Sequence, residues 1–149
     1  MLEMPFRSTQ RVYFDDLDAL NILHNMRYLL FIERARGELL QSLGFRWQDD
    51  FTVNPDKFHV VAAHTIDYLI PVRGEGELSV ELWPSHLGRS SLIIDAEVRS
   101  RHGQSVHARG TTRLVRLDRE TNESCPWSDT FRDRVSPLVK EAPETGPGV

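Results

Sequence analysis

The sequence predicts an α+β fold in which a curved antiparallel sheet wraps around one long helix. Apolar residues recur at helical spacing over a single stretch, and about sixty residues of strand-like sequence follow it. The strand-like residues alternate in polarity between Pro and Gly turn signals, which is typical of antiparallel strands. With 149 residues and a formal net charge of −4, the chain has the size and composition of one globular domain.

The first predicted strand covers residues 7–14, whose β-prone side chains end at Phe14. It precedes a cluster of the acidic residues Asp15, Asp16 and Asp18. These carboxylates crowd one strand end and cannot all reach one ion, and no His or Cys follows at a supporting interval. We therefore expect no metal site.

The long helix is predicted over residues 25–43. Its apolar residues, at spacings of three and four, are Tyr28, Leu29, Phe31, Ile32, Ala35, Leu39, Leu40 and Leu43. Asn25 is a suitable N-cap because its side-chain oxygen can accept from a first-turn N–H, and Gly44 suits the left-handed residue that ends a helix. Because more than one helix face is apolar, we expect the helix to be buried on most sides.

Four further strands are predicted at residues 58–70, 76–87, 89–101 and 105–118, joined as antiparallel hairpins. The second and third of these carry apolar residues at alternate positions, namely Leu78, Val80, Leu82, Leu92, Ile94, Ala96 and Val98. One face of the sheet is thereby expected to meet the helix. One helix cannot cover both faces or close the sheet edges, so we expect a two-fold homodimer, with a homotetramer as the alternative.

The end of the chain is predicted to add one short element. Residues 128–140 fit a short amphipathic helix through Phe131, Val135 and Leu138, which Pro137 limits. The last nine residues hold two prolines and two glycines. We expect a single domain over residues 1–140 and a disordered tail over residues 141–149.

Composition excludes several classes of function. The single cysteine, Cys125, excludes an internal disulfide and a cysteine-based zinc cluster. The acidic balance and scattered arginines argue against a nucleic-acid partner. No apolar stretch approaches the roughly 20 residues that cross a bilayer. We expect a soluble cytoplasmic protein with a small-molecule site and no membrane span.

The segment 15–44 reads DDLDALNILHNMRYLLFIERARGELLQSLG. Its spaced motifs are Asp16-Leu17-Asp18, Ile22-Leu23, Tyr28, Glu33-Arg34-Ala35-Arg36 and Gly44. This segment resembles the hotdog-fold acyl-CoA thioesterases of the 4-hydroxybenzoyl-CoA thioesterase type, and Ile66-Asp67-Tyr68-Leu69-Ile70-Pro71 is similar to the second-strand ending of that family. The resemblance implies a hotdog fold and hydrolysis of an acyl-CoA to a carboxylic acid and free CoA, at a site shared between two subunits. CoA enters as part of the substrate, and no other cofactor is implied.

The catalytic candidates lie around the start of the helix. A thioester carbonyl under attack needs its negative charge stabilised, and a helix N-terminus offers N–H groups with partial positive charge, here the backbone N–H of Asn25. Asp18, on the loop before the helix, is the candidate general base or nucleophile. Many relatives have Tyr, Gly and His where this chain has Phe14, Asn21 and Asn25. His24 is the candidate replacement for the missing ionisable group, although a surface or dimer-contact role is slightly favoured.

The remaining site candidates have structural alternatives. Tyr28 suits core packing with its hydroxyl reaching a partner. Glu33 is a candidate carboxylate on the helix, but an ion pair with Arg36 is favoured. The turn that in the family meets the nucleotide end of CoA contains Arg89, Ser90 and Ser91, which equally suit a polar hairpin tip; Arg101, His102 and Arg109 are equivalent phosphate-binding candidates.

Two other functions stay open. The first is a non-catalytic hotdog protein that binds acyl-CoA, because the family residues at Phe14 and Asn25 are lost. The second is a hotdog enoyl-CoA hydratase, whose family places a His five positions after the Asp. That position is Leu23 in this chain, and His24 comes one position too late, so this is the weakest alternative.

Overall fold

The computed structural model describes residues 2–141, in which five strands form one sheet beside a long helix. The strands are β1 (Phe6–Val12), β2 (His59–Tyr68), β3 (Gly76–Leu87), β4 (Ser91–Ser100) and β5 (Val106–Arg116), and the helices are α1 (Arg27–Ser42) and α2 (Asp129–Val135). Short 3-10 turns lie at Phe14–Asp16, Pro55–Lys57 and Ser136–Leu138. The predicted α+β class is confirmed. Of the tail predicted over residues 141–149, all but Glu141 lies outside the described residues.

The sheet is antiparallel throughout, with the strand order β1-β3-β4-β5-β2. The hairpins β3-β4 and β4-β5 confirm the predicted connections. The expectation that β2 and β3 also form a hairpin is wrong, because β2 lies at the far edge beside β5. The connector between them pairs with the loop before α1 instead: Leu23 N–H donates to Val72 C=O at 2.9 Å, and Ile22 forms a bridge with Arg73.

The core lies between α1 and one face of the sheet. Phe31 and Ala35 of α1 are fully buried. The alternating apolar residues predicted to face the helix are all buried, namely Leu78, Val80, Leu82, Leu92, Ile94, Ala96 and Val98. Burying one Leu, Val or Ile side chain stabilises the fold by about 1.5–3 kcal/mol, so these rows hold the helix on the sheet.

Two predicted boundaries differ from the structure. β1 ends at Val12, and Phe14 lies in a 3-10 turn with 76% of its surface exposed. α1 begins at Arg27 after Met26, and no side chain caps it, so the prediction of Asn25 as N-cap is wrong. The helix does end as predicted, because Gly44 has a left-handed φ of 89°.

The short C-terminal helix is confirmed as α2. The hydroxyl of Ser128 caps it by accepting from the Phe131 N–H at 3.2 Å. Phe131 stacks on Trp127 with ring centroids 4.2 Å apart, and Val135 is buried. Pro137 follows in a 3-10 turn, as its effect on helices predicts.

Strand β2 forms an open edge of the sheet. β5 is its only neighbour within the described residues, and most of its ten residues are exposed. Val60 and Val61 have 45% and 42% of their surface exposed. Within residues 2–141, no helix is both long and apolar enough to cross a bilayer.

Candidate active site

The loop before α1 folds back on itself. Leu17 and Leu23 form an antiparallel bridge, the Asp18 N–H donates to Ile22 C=O at 2.8 Å, and the His24 N–H donates to Asp16 C=O at 2.9 Å. The two arms of this loop run side by side. The acidic segment after β1 is thereby held against the segment that starts the helix.

Asp18 lies at the tip of this loop and is exposed. Its Oδ1 accepts from the N–H groups of Leu20 at 2.8 Å and Ile22 at 3.2 Å. Asn21 completes the turn with a left-handed φ of 60°, which Asn tolerates. Within the described residues, Oδ2 of Asp18 accepts no hydrogen bond. The carboxylate is therefore held by one oxygen while the other faces solvent.

His24 and Asn25 form the turn that leads into α1. The Met26 N–H donates to Nδ1 of His24 at 3.2 Å, so the proton of the neutral ring is on Nε2. The His24 C=O accepts from the Arg27 N–H at 2.9 Å. Among residues 2–141, the Asn25 N–H has no hydrogen-bond partner. It is a free donor at the start of the helix.

Two tyrosines pack beside this turn. Tyr28 is 3% exposed, and its ring meets that of Tyr68 edge-on, with centroids 5.0 Å apart. Burial raises the pKa of the Tyr28 phenol, which stays neutral. The Tyr68 hydroxyl donates to the Asn25 C=O at 2.8 Å. The sequence predicted Tyr68 within a strand and its family-like ending but gave it no role in the site, although period-two alternation puts it on the same face as Ile66.

Asp16 has a structural role that the sequence did not reveal. It is 8% exposed, its Oδ2 accepts from the Tyr13 N–H at 2.8 Å, and its Oδ1 lies 3.3 Å from Nε of Arg27. The buried carboxylate ties the end of β1 to the first turn of α1. Of these two neighbouring acids, Asp18 is the one free to meet a ligand.

Glu33 lies further along α1, about 9 Å from Arg27 at 1.5 Å per residue. Its Oε1 is 3.8 Å from Nη2 of Arg36, so the favoured ion pair is confirmed. The Glu33 side chain is 65% exposed. Arg36 is buried, and this burial lowers its pKa.

The predicted nucleotide-binding turn lies at the other end of the sheet. Val12, just before the loop of Asp18, pairs with Gly76 at the start of β3. The turn Arg89-Ser90-Ser91 follows the other end of β3. β3 has 12 residues, which span roughly 36 Å at about 3.3 Å each. Within one subunit, the fold does not bring Asp18 and this turn together. Trp127 contacts the turn, because its backbone N–H donates to the Arg89 C=O at 3.0 Å.

The described part of the chain contains no cluster of side chains that could bind a metal ion. No group of three or more His, Cys, Asp or Glu side chains converges there. Cys125 is a free, partly exposed thiol in the segment between β5 and α2.

Comparisons with known proteins agree with this fold. Residues 20–107 match a family model described as the thioesterase superfamily. The chain is 34% identical to the acyl-CoA thioesterase YbgC of Haemophilus influenzae over 95 residues, which cover 64% of this chain and 69% of that protein. It is 26% identical to the 1,4-dihydroxy-2-naphthoyl-CoA hydrolase of Nostoc punctiforme over 136 residues, 87% of this chain and 90% of that protein.

A solved structure gives the same result over nearly the full length. The thioesterase of Thermus thermophilus, in complex with coenzyme A and Zn, is 30% identical and superposes with a TM-score of 0.75, covering 93% of this chain and 96% of that one. The five-stranded antiparallel sheet beside one long helix is the hotdog fold expected from the sequence. Since the family model spans more than half of the residues, the chain belongs to the thioesterase superfamily.

Proposed function

We propose that this chain hydrolyses acyl-CoA thioesters to a carboxylic acid and free CoA, using Asp18 and the backbone N–H of Asn25. The observation that carries the proposal is the free Asn25 N–H at the start of α1, on the same folded loop as a carboxylate with one unengaged oxygen. Relatives named as an acyl-CoA thioesterase and a naphthoyl-CoA hydrolase support CoA thioesters as the substrate class. CoA is part of the substrate, and the reaction needs no further cofactor.

The Asn25 N–H acts as the oxyanion donor. As the carbonyl carbon is attacked, charge builds up on its oxygen, and a preorganised N–H stabilises that charge more than it stabilises the neutral thioester. The aligned peptide dipoles of α1 add partial positive charge at the same end. The side chain of residue 25 is not required, so the replacement of His by Asn keeps this interaction.

Asp18 delivers the attacking oxygen. As general base, its carboxylate takes a proton from water while the hydroxyl oxygen bonds to the carbonyl carbon. The tetrahedral intermediate then breaks its C–S bond, and the departing CoA thiolate takes the proton back from Asp18. As nucleophile, Asp18 forms a mixed anhydride and expels the thiolate, and water then hydrolyses the anhydride. The turn N–H groups of Leu20 and Ile22 hold the carboxylate in either case.

A second copy of the chain completes the site. If two β2 edges pair antiparallel about a two-fold axis, the Tyr68 end of one strand lies beside the His59 end of the other. Val60, next to His59, pairs with Val115, which pairs with Ser91. The turn of one subunit would then approach the Asp18 loop of its partner. We therefore propose a homodimer in which Arg89, Ser90 and Ser91 of the partner subunit bind the CoA phosphates.

The test is thiol release from a panel of acyl-CoAs by wild type, Asp18→Asn and Asp15→Asn. We expect Asp18→Asn to lower kcat by about 100-fold or more, since a general base contributes roughly 10²–10⁴. Asp15 is an exposed carboxylate near the same loop and is the matched control. Asp15→Asn should retain wild-type activity. Full activity in Asp18→Asn would remove Asp18 from the mechanism.

Non-catalytic acyl-CoA binding is the second candidate function. The feature that favours it is Phe14, which lacks a hydroxyl and lies exposed near the Asp18 loop. Calorimetry with the same acyl-CoA panel separates the two functions. Binding without thiol release across the panel would support the binding protein and contradict the hydrolase.

A further inference from the structure

We propose that Tyr68 is a positioning residue that orients the Asn25 N–H toward the thioester oxygen. This role rests on the proposed function and adds a residue from a different element to it. Tyr68 is the last residue of β2, whereas Asn25 lies before α1. Their hydrogen bond joins the open edge of the sheet to the candidate oxyanion donor.

The peptide unit between Asn25 and Met26 is held at both ends. Its C=O accepts from the Tyr68 hydroxyl at 2.8 Å, and its N–H donates to Nδ1 of His24 at 3.2 Å. A peptide unit is planar, so two such hydrogen bonds set the orientation of the whole plane.

The preceding peptide unit, between His24 and Asn25, carries the free N–H. Its C=O accepts from the Arg27 N–H at 2.9 Å. In a trans peptide the C=O and N–H point in opposite directions, so the Asn25 N–H points away from the Arg27 N–H. The two planes meet at the Cα of Asn25. Tyr68 therefore limits the rotation that would turn the donor away from a bound carbonyl.

Tyr68 is itself well placed for this role. Opposite Ala108 of β5, it lies on the face of β2 that meets α1, and its ring packs edge-on against buried Tyr28 at an interplanar angle of 76°. The hydroxyl makes a single hydrogen bond within the described residues, to Asn25. Tyr68→Phe thus removes that bond and keeps the ring packing.

The experiment compares wild type, Tyr68→Phe and Thr65→Val in thiol-release kinetics. Thr65 is the control because it lies on the same strand, and among residues 2–141 its hydroxyl hydrogen-bonds only to that of Thr111, at 2.6 Å. For Tyr68→Phe we expect kcat to fall about tenfold with KM changed less than about twofold, because the lost interaction acts in the transition state. Thr65→Val should keep the wild-type kcat. Melting temperatures are recorded for all three proteins.

Amide hydrogen exchange at Met26, followed by NMR, gives a readout that does not need turnover. Looser positioning in Tyr68→Phe should speed this exchange about tenfold or more. An unchanged kcat, an equal loss of kcat in Thr65→Val, or unchanged exchange would each overturn the proposal. A wild type that releases no thiol from any acyl-CoA would instead overturn the proposed hydrolase, and the exchange rate would still decide whether Tyr68 holds the peptide.

Discussion

Asp16 and Asp18 are chemically identical residues with different surroundings. Asp16 is 8% exposed, and both of its oxygens are engaged, by the Tyr13 N–H and by Arg27. Asp18 is exposed and held by one oxygen only. Asp16 is buried and each of its oxygens contacts a donor, whereas Oδ2 of exposed Asp18 has no such contact within the described residues, so the arrangement favours Asp18 as the reacting acid.

Gly110 is a residue-scale test of the sheet. A Cβ added at this position would overlap the backbone O of Thr65, because the two atoms would lie closer than non-bonded atoms approach in proteins. We expect Gly110→Ala to lower the free energy of unfolding by about 1–3 kcal/mol, because β2 or β5 must shift. Urea denaturation followed by circular dichroism measures it.

Gly37 of α1 is the matched control for that substitution. Among the described residues, its Cβ would meet only Nε1 of Trp47, at 3.9 Å. Gly37→Ala should raise the free energy of unfolding by roughly 0.5–1 kcal/mol, because Ala loses less backbone entropy in a helix. A Gly110→Ala variant as stable as wild type would contradict the close approach.

The sequence predicted Asp18 and Asn25 around the start of the long helix but not the contacts that organise them. Asn25 was predicted to cap the helix with its side chain, whereas the His24 ring takes the Met26 N–H and leaves the Asn25 N–H free. Tyr68 was missed because its hydrogen bond joins residues far apart in the chain. Contacts of this kind depend on the packing of distant elements, which residue spacing does not encode.

At the scale of elements, periodicity predicted well where regularly spaced apolar residues are buried. α1 and the alternating rows of β3 and β4 were predicted because their apolar faces meet the core. The order of the strands was predicted less well. β2 carries little burial signal, since most of its residues are exposed, and its connector to β3 pairs with the loop before α1. Which strands are neighbours therefore did not follow from the pattern of apolar residues.

The face of the sheet opposite α1 carries charges in register across four strands. Arg7, Glu81, Glu97 and Arg109 are successive partners. Arg99 joins the two acids, with Nη2 3.0 Å from Oε1 of Glu97 and Nε 3.2 Å from Oε2 of Glu81. Burial tends to raise the pKa of Glu97, but hydrogen bonds from Arg109 and Arg99 outweigh it and lower that pKa below its ordinary value.

Because the pKa of Glu97 is lowered in the folded state, the stability that this charged row of residues contributes depends on pH. The stability that Glu97 contributes is fully present above its unfolded pKa of about 4.3 and is lost as the pH falls through the folded value. We expect Glu97→Gln to cost about 2 kcal/mol at neutral pH and almost nothing in strong acid, where Glu97 is protonated as well. Urea denaturation over a range of pH measures this difference.

Glu77 provides the comparison for Glu97. It pairs with Arg101 at 3.3 Å, but their side chains are 35% and 66% exposed, so solvent screens the pair. Glu77→Gln should cost less than about 1 kcal/mol at any pH. If Glu97→Gln and Glu77→Gln lowered the free energy of unfolding equally at every pH, the buried ion pairs of Glu97 would contribute no more stability than the exposed pair of Glu77.

At the scale of the whole molecule, the open β2 edge bears on both fold and function. The strand exposes Val60 and Val61 together with backbone groups that no other strand in residues 2–141 pairs, a surface that proteins usually cover. Tyr68, which holds the Asn25 peptide, ends the same strand. Pairing of two β2 edges would therefore bury the exposed valines and restrict the motion of Tyr68. It would also bring the Arg89-Ser90-Ser91 turn of the partner subunit toward Asp18.

Charge on this edge tests the pairing and the shared site together. We expect the double variant Val60→Asp/Val61→Asp to weaken dimerisation by about 100-fold or more, since burying two carboxylates in an apolar contact costs roughly 3 kcal/mol or more. With the proposed dimer, sedimentation should show a dimer for wild type and a monomer for the double variant, and thiol release should fall because the proposed contribution of the partner's turn is lost. Val53→Asp is the control, since Val53 is 71% exposed but lies outside β2. A wild-type mass and activity in the double variant would place the interface elsewhere.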